Sequence, residues 1–230
     1  MRTGDLALLE DVLRNWKSRW QQTPESSTNP RNPAGPIAFT SSALLGQAYV
    51  RLYLDLGPCR ALQSLQRQQI AEALYGAPPI VRTPGLVMAL LHGVHALSIP
   101  VRSGIDFVAR THSLYWSIQH SLSSLEYSFL LSRWLLTLPE IGPARISEHE
   151  RLLFLWVNRI AEETGPTSED QPALRESDIL EKVKDFTHMV RLAQAIIRVW
   201  VRTFKGNACW GLVDLVGSSL EAYADLLDSP

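Results

Sequence analysis

The 230-residue sequence is poor in cysteine, with only Cys59 and Cys209, which lie far apart in the chain. Two isolated cysteines make neither a disulfide framework nor a zinc site, because both need several suitably spaced ligands. Their scarcity is typical of a reducing compartment. The N-terminus also lacks the long apolar run of a secretory signal, so an intracellular location is expected.

The chain has no excess of basic charge: 22 Lys and Arg side chains are balanced by 23 Asp and Glu side chains, giving a net charge of −1. A protein that grips nucleic acid over its whole surface needs concentrated Lys and Arg. The balanced charge therefore argues against nucleic-acid binding over the whole surface, although a local basic patch is still possible.

Catalytic and cofactor motifs are absent from the sequence as well. It contains no Gly-x-Ser-x-Gly elbow, no phosphate-binding loop of the Gly-x-x-x-x-Gly-Lys-Ser/Thr type and no Gly-x-Gly-x-x-Gly fingerprint. The paired carboxylates Glu162-Glu163 and Glu169-Asp170 stand in or near a polar stretch and are interpreted as solvated. The sequence therefore predicts no enzyme, no catalytic residue, no bound cofactor and no metal ligand in this chain.

No segment shows the sustained alternation of apolar and polar residues that is typical of a strand. Helical periodicity is clearest between Arg110 and Leu138, a stretch without Gly or Pro that is apolar on more than one side. Charged and histidine side chains, including Glu126 and Arg133, interrupt it too often for a membrane span. We therefore predict an all-α fold, a multi-helix bundle of about seven to nine helices around this long central helix.

Proline, serine and asparagine concentrate between Thr23 and Pro36, and they divide the chain in two. Residues 1–37 are expected to form an N-terminal amphipathic helix from Asp5 to Gln22, followed by a linker. Residues 38–230 are expected to form the helical domain.

Local signals predict where several helices of that domain begin and end. Ile99-Pro100 is expected to break a helix, because proline removes a backbone donor and clashes with the preceding turn. Ser147 and Glu150, three residues apart, predict a capping box at a helix start. Ser177 is predicted to cap a long helix from Asp178 to Phe204.

An alternative function, ligand binding or catalysis by the helical bundle, would use its histidines. The candidates are His92, His95, His112 and His120. His92 and His95 are three residues apart and share a helix face, but no third metal ligand is close in sequence. His112 and His120 are about two turns apart, too distant to bind one metal directly. A small-ligand-binding or enzymatic α-helical bundle would require these side chains to converge on one cavity.

One charge pattern suggests a surface. Lys184, Arg191, Arg198 and Lys205 follow one another at intervals of seven, and Arg202 extends the far end. This spacing places them along one side of the long helix. The pattern fits either a solvated face paired with acidic neighbours, since the preceding segment is rich in acids, or a basic docking face for an acidic partner or for DNA phosphates.

A set of short motifs runs in order through residues 38 to 228. They are Ala48-Tyr-Val-Arg-Leu-Tyr53, His95-Ala-Leu-Ser-Ile-Pro-Val101, Gly104-Ile105, Trp116-Ser-Ile-Gln-His120, Leu131-Ser-Arg-Trp-Leu135, Trp200-Val-Arg-Thr-Phe-Lys-Gly-Asn207 and Val213-Asp-Leu-Val-Gly-Ser-Ser-Leu-Glu-Ala-Tyr-Ala224. Each motif alone is weak, and their order and number carry the specificity. Together they resemble the fungal-specific transcription factor domain, the C-terminal helical region of fungal zinc-finger transcription factors with two-Cys/two-His fingers.

The resemblance implies a regulatory and interaction domain that controls RNA polymerase II transcription in the nucleus. Its partners would be other regions of a transcription factor or transcriptional partner proteins, with a small-molecule effector as a further option. Direct DNA binding by this chain is not expected, nor is contact with a membrane. In the family, zinc fingers read DNA; this sequence has none, so zinc is expected only if fingers lie upstream in the full-length protein.

Overall fold

A computed structural model describes residues 3–27, 35–57, 60–115, 117–165, 181–206 and 210–228. Within these ranges the chain forms nine α-helices and no strands, so the predicted all-α, multi-helix fold is confirmed. The helices are α1 Thr3–Trp20, α2 Gly35–Tyr53, α3 Arg67–Tyr75, α4 Leu86–Ser103, α5 Ile105–Tyr115, α6 Ile118–Ile141, α7 Glu148–Thr164, α8 Phe186–Phe204 and α9 Gly211–Leu226.

Helix α6 is the one around which the others are arranged, because it packs against α2, α4, α8 and α9. Its Trp134 and Phe129 side chains are fully buried, and each such burial contributes roughly 1.5–3 kcal/mol. Several buried serines of α6 satisfy their hydroxyls within the helix. Ser124 Oγ donates to the His120 carbonyl and Ser128 Oγ to the Ser124 carbonyl, each at 2.7 Å. The predicted central helix is therefore confirmed.

The central helix begins later than predicted. Helix α5 ends at Tyr115 and α6 begins at Ile118, so the continuous helix expected from Arg110 is wrong. Between them Ser117 has an extended backbone, with φ −78° and ψ 162°, and its N–H donates to His120 Nδ1 at 3.1 Å. The histidine thus takes the part that Glu or Gln plays in the usual capping box and fixes a new helix start.

Pro100 does not break its helix, contrary to the prediction. Helix α4 continues to Ser103 and ends where Gly104 adopts a left-handed φ of 88°. Pro100 has no backbone N–H to donate, but it lies only three residues from the helix end, so a single hydrogen bond is missing there. Pro100 itself is buried. By length and composition alone α4 is also long and apolar enough to cross a membrane. Of its residues Leu86–Ser103, 44% are buried inside the bundle, and the core helix of a soluble protein has the same length and composition.

Helix α8 is also shorter than predicted at its start. Asp185 is its N-cap and accepts a hydrogen bond from the Thr187 backbone at 2.9 Å, so the helix expected to run unbroken from Asp178 is interrupted. The predicted cap Ser177 lies outside the described residues, as do Trp116 and both cysteines.

The two N-terminal helices pack together on the bundle. The helix predicted from Asp5 to Gln22 is present as α1, Thr3–Trp20, which contacts α2 and stacks Trp16 on Trp20 with ring centroids 5.7 Å apart. Leu9 and Trp16 of its predicted apolar face are exposed. Helix α2 begins at Gly35, inside the predicted linker, and packs on α4 and α6. The division of the chain at residue 37 stays a prediction.

Candidate docking surface and buried ionic centres

One side of α8 is buried and the other carries basic charge. Within Phe186–Phe204 there is no Asp or Glu; Trp200 is buried, whereas Arg191, Arg198 and Arg202 are exposed. At 3.6 residues per turn these three arginines fall within about 40° around the helix axis and span roughly 16 Å along it. We call them the arginine strip.

The two predicted lysines lie beyond the ends of the strip, and both are exposed. Lys184 precedes the N-cap of α8, and Lys205 is its C-cap residue. Lys205 Nζ pairs with Glu221 Oε2 on α9 at 2.5 Å. The structure therefore places all five predicted basic residues on the exposed side of α8 or at its ends, and their role in docking stays a prediction.

The arginine strip is only weakly neutralised. Among the described residues, neither Arg191 nor Arg198 forms an ion pair. Arg202 Nη2 lies 3.7 Å from Asp106 Oδ1, and its Nη1 donates to the Thr164 carbonyl at 3.5 Å. Long, solvent-exposed contacts of this kind contribute little to stability. The strip consequently offers its guanidinium groups to an anion from outside.

An open hollow adjoins the strip at Arg202. Its volume is about 360 Å³. Val101, Ile105 and Phe107 line it together with polar groups, which make up the larger part of its surface. The Phe107 side chain is 57% exposed although it belongs to a packed helix, α5. The hollow lies at the lower end of the size range of ligand pockets. It is therefore better matched to one side chain of a binding partner than to a large ligand.

A buried carboxylate, Glu126, joins α2 and the loop after it to α6. The Glu126 side chain is 3% exposed. Arg51 Nε and Nη2 donate to its two oxygens at 3.2 and 2.8 Å, and Arg60 Nη1 donates to Oε1 at 2.8 Å. The hydrogen bond to Glu126 raises the pKa of Arg51. Such forked, charge-assisted contacts are among the stronger hydrogen bonds in proteins, so this centre fixes the geometry between the two helices.

A second buried carboxylate, Glu150, confirms the capping box predicted at the start of α7. The Ser147 backbone donates to Glu150 Oε2 at 3.1 Å, and the Glu150 backbone donates to Ser147 Oγ at 3.3 Å. Arg82 and Trp134 both donate to the other oxygen, Trp134 at 3.3 Å. Burial opposes ionisation of Glu150, but the hydrogen bonds from Arg82 and Ser147 outweigh it and lower its pKa.

Neither carboxylate was predicted from the sequence to be an ionic centre. Glu126 did carry a signal, because an acid within an otherwise apolar central helix must find a partner when it is buried. Its partners Arg51 and Arg60 lie on other elements, and no local pattern points to them.

The four histidines have different surroundings. The His92 ring stacks on Tyr49 with centroids 4.9 Å apart, and burial lowers the pKa of His92 to about 4. His95 is exposed, His120 caps α6, and the side chain of His112 is outside the described residues. In the described part of the chain, no group of three or more His, Cys, Asp and Glu side chains is placed to hold a metal ion.

Comparison with protein families connects this architecture to known proteins. Residues 55–222, well over half of the chain, match the family model of the fungal transcription factor C-terminal domain. The chain belongs to this family. No curated protein and no solved structure matches it.

Membership of the fungal transcription factor C-terminal family confirms the resemblance drawn from the sequence motifs. It indicates a regulatory role in transcription and is not membership of an enzyme family. The matched residues include the arginine strip and both buried carboxylates, whereas α1 and α2 precede them.

Proposed function

We propose that this chain is a regulatory and interaction domain of a fungal transcription factor that controls RNA polymerase II transcription in the nucleus. It works through contacts with other regions of the factor or with transcriptional partner proteins. DNA reading belongs to zinc fingers, which this sequence does not contain. The observation that carries the proposal is the family match over residues 55–222.

The charge distribution of the chain favours contact with a protein over direct binding of DNA. The net charge of −1 gives nucleic acid little overall attraction, because such binding depends on many Lys and Arg contacts to phosphates. One cluster of basic charge lies on the exposed side of α8. A local patch of one sign is suited to steering a protein partner of opposite charge.

A reporter assay tests the proposal. The chain is fused to an unrelated DNA-binding domain in a fungal host, and transcripts from an RNA polymerase II promoter bearing that domain's site are measured. We expect the fusion to raise or lower transcript level relative to the DNA-binding domain alone. We also expect the unfused chain to accumulate in the nucleus, which imaging of a tagged version would show.

The matched control is the same fusion with Trp134→Asp, which places a charge at a fully buried position and should unfold the bundle. If the intact and unfolded fusions give equal transcript levels at equal abundance, the proposed regulatory role is wrong. Tight, sequence-selective binding of a DNA duplex by the purified chain would contradict the proposed division of labour.

A further inference from the structure

We propose that the arginine strip of α8 and the hollow beside Phe107 together bind an extended acidic segment of a partner protein, with one aromatic or aliphatic side chain of that segment in the hollow. The proposal deepens the proposed function, since it names the surface and the chemistry of the partner. It rests on the charge of α8, the geometry of the strip and the exposed ring of Phe107.

The chemistry of the strip suits carboxylates. All three cations are arginines, whose planar guanidinium groups can bind a carboxylate in a two-point fork. Arg198 and Arg202 are four residues apart on the helix, so their like charges repel each other until an anion lies between them. Among the described residues, no carboxylate forms an ion pair with Arg191 or Arg198 and so competes with a partner for them.

The spacing of the strip fits an extended peptide. Along the helix axis Arg198 and Arg202 are about 6 Å apart, and Arg191 lies about 10 Å further on. An extended chain advances about 3.3 Å per residue and presents alternate side chains on one face. Carboxylates at alternate positions can therefore reach the three arginines in turn. A single small anion would reach only one or two of them.

The hollow explains why the segment should also carry an apolar side chain. Val101, Ile105 and Phe107 form the apolar part of a lining that is otherwise polar, and Arg202 lines both the hollow and the strip. Burying a side chain there removes part of the exposed Phe107 ring from water, which favours binding. The acidic residues of the segment would then continue from Arg202 towards Arg191.

The acids beside the strip argue against a DNA duplex as the occupant. Asp106, with 80% of its side chain exposed, and Glu163, with 46% exposed, both line the hollow, and Glu221 pairs with Lys205 at the same, C-terminal end of α8. A duplex is much wider than the strip and would bring its phosphates close to these carboxylates. An extended peptide that places an apolar side chain in the hollow can carry its carboxylates away from these acids, from Arg202 towards Arg191.

Fluorescence anisotropy with a labelled peptide tests the inference. The probe is the peptide Phe-Ser-Asp-Ser-Asp-Ser-Asp-Ser-Phe, whose aromatic side chains and carboxylates occupy alternate positions and therefore face the same side of an extended chain. We expect the triple variant R191Q/R198Q/R202Q to bind roughly tenfold more weakly than the wild type, because exposed ion pairs each contribute about a two- to fivefold factor. Phe107→Ser should weaken binding about threefold, and added salt should weaken it further.

The matched control variant is R19Q/R67Q/R145Q, which removes the same charge from exposed positions away from α8. It should bind the probe as the wild type does, and a peptide with Asn in place of Asp should bind none of the variants well. The double variant R191Q/R198Q leaves the contacts of Arg202 intact and guards against a local change of structure. Circular dichroism would show that each variant keeps its helices.

Two results would overturn the inference. One is equal weakening in the α8 variant and the control variant, which would mean that only net charge matters. The other is a short random DNA duplex that binds more tightly than the peptide and is lost with the α8 variant, which would make the strip a nucleic-acid contact. If the peptide does not bind but the reporter fusion changes the transcript level, this inference alone is refuted. If the reporter fusion leaves the transcript level unchanged, the proposed function is refuted.

Discussion

Replacing both arginines that bind Glu126 is expected to destabilise the domain more than replacing Glu126 itself. The double variant R51Q/R60Q leaves a carboxylate whose side chain is 3% exposed without a cationic partner. Stranding a buried charge in this way costs about 3–5 kcal/mol. By contrast, Glu126→Gln removes the buried charge, and Arg51, with 53% of its side chain exposed, can turn towards water. That variant should lose about 1–2 kcal/mol, mainly from weakened hydrogen bonds.

The triple variant R51Q/R60Q/E126Q separates this reasoning from simple loss of contacts. Because no charge is left buried, the triple variant should be more stable than R51Q/R60Q by about 1 kcal/mol or more. Urea unfolding followed by circular dichroism measures these differences. With a slope of about 1–3 kcal/mol per molar urea, a loss of 3 kcal/mol lowers the midpoint by roughly 1–3 M.

An exposed ion pair provides the control. Arg159 and Glu163 have side chains 78% and 46% exposed, so Arg159→Gln should change stability by less than about 0.5 kcal/mol. The reasoning about Glu126 is refuted if E126Q is as destabilising as R51Q/R60Q, or if adding E126Q to the double variant gives no recovery.

Two further predictions concern close packing and pH. A Cβ at Gly217 would lie 2.7 Å from the Lys205 backbone nitrogen, which has little room to move, so Gly217→Ala should lower the free energy of unfolding by about 1–3 kcal/mol. A Cβ at Gly211 meets nothing within 4 Å, so Gly211→Ala should be neutral or slightly stabilising. Equal melting temperatures of the two variants would contradict this prediction. Because burial lowers the pKa of His92 from 6.5 to about 4, the unfolded chain takes up a proton in that window that the folded chain does not. The free energy of unfolding should therefore be highest above pH 6.5 and fall as the pH drops towards 4, by at most ~3 kcal/mol. Urea titrations at several pH values should show a weaker pH dependence in His92→Gln than in His95→Gln.

Local chemistry explains which helix boundaries could be predicted. The start of α7 was predictable because Ser147 and Glu150 satisfy each other's backbone groups without help from the rest of the fold. The start of α6 uses the same device with His120 as the acceptor. A neutral imidazole nitrogen can accept a hydrogen bond as a carboxylate does. Burial lowers the pKa of His120 and so favours the neutral ring, and burial is a property of the tertiary structure.

The failures at Pro100 and Glu126 have the same origin. Intrinsic propensity places a break at Pro100, but the packing of α4 overrides a single missing hydrogen bond. Periodicity predicted that α6 is buried, yet the partners of its acid come from elements far away in sequence. The shared side of Arg191 and Arg198 was predictable because a seven-residue spacing on one helix needs no knowledge of its neighbours, whereas Lys184 and Lys205 lie beyond the ends of that helix.

The buried ionic centre also bears on how large the folding unit is. The family match begins at residue 55, after α2 has ended, yet α2 supplies Arg51 to Glu126. The same helix supplies the Ala43 carbonyl that accepts the buried Tyr127 hydroxyl at 3.1 Å, and the Tyr49 ring that stacks on His92. A chain cut at the family boundary would leave Glu126 with Arg60 alone and the Tyr127 hydroxyl without its acceptor. Both losses fall in the core and each carries a desolvation cost, so the cooperative unit of this domain extends at least to the start of α2.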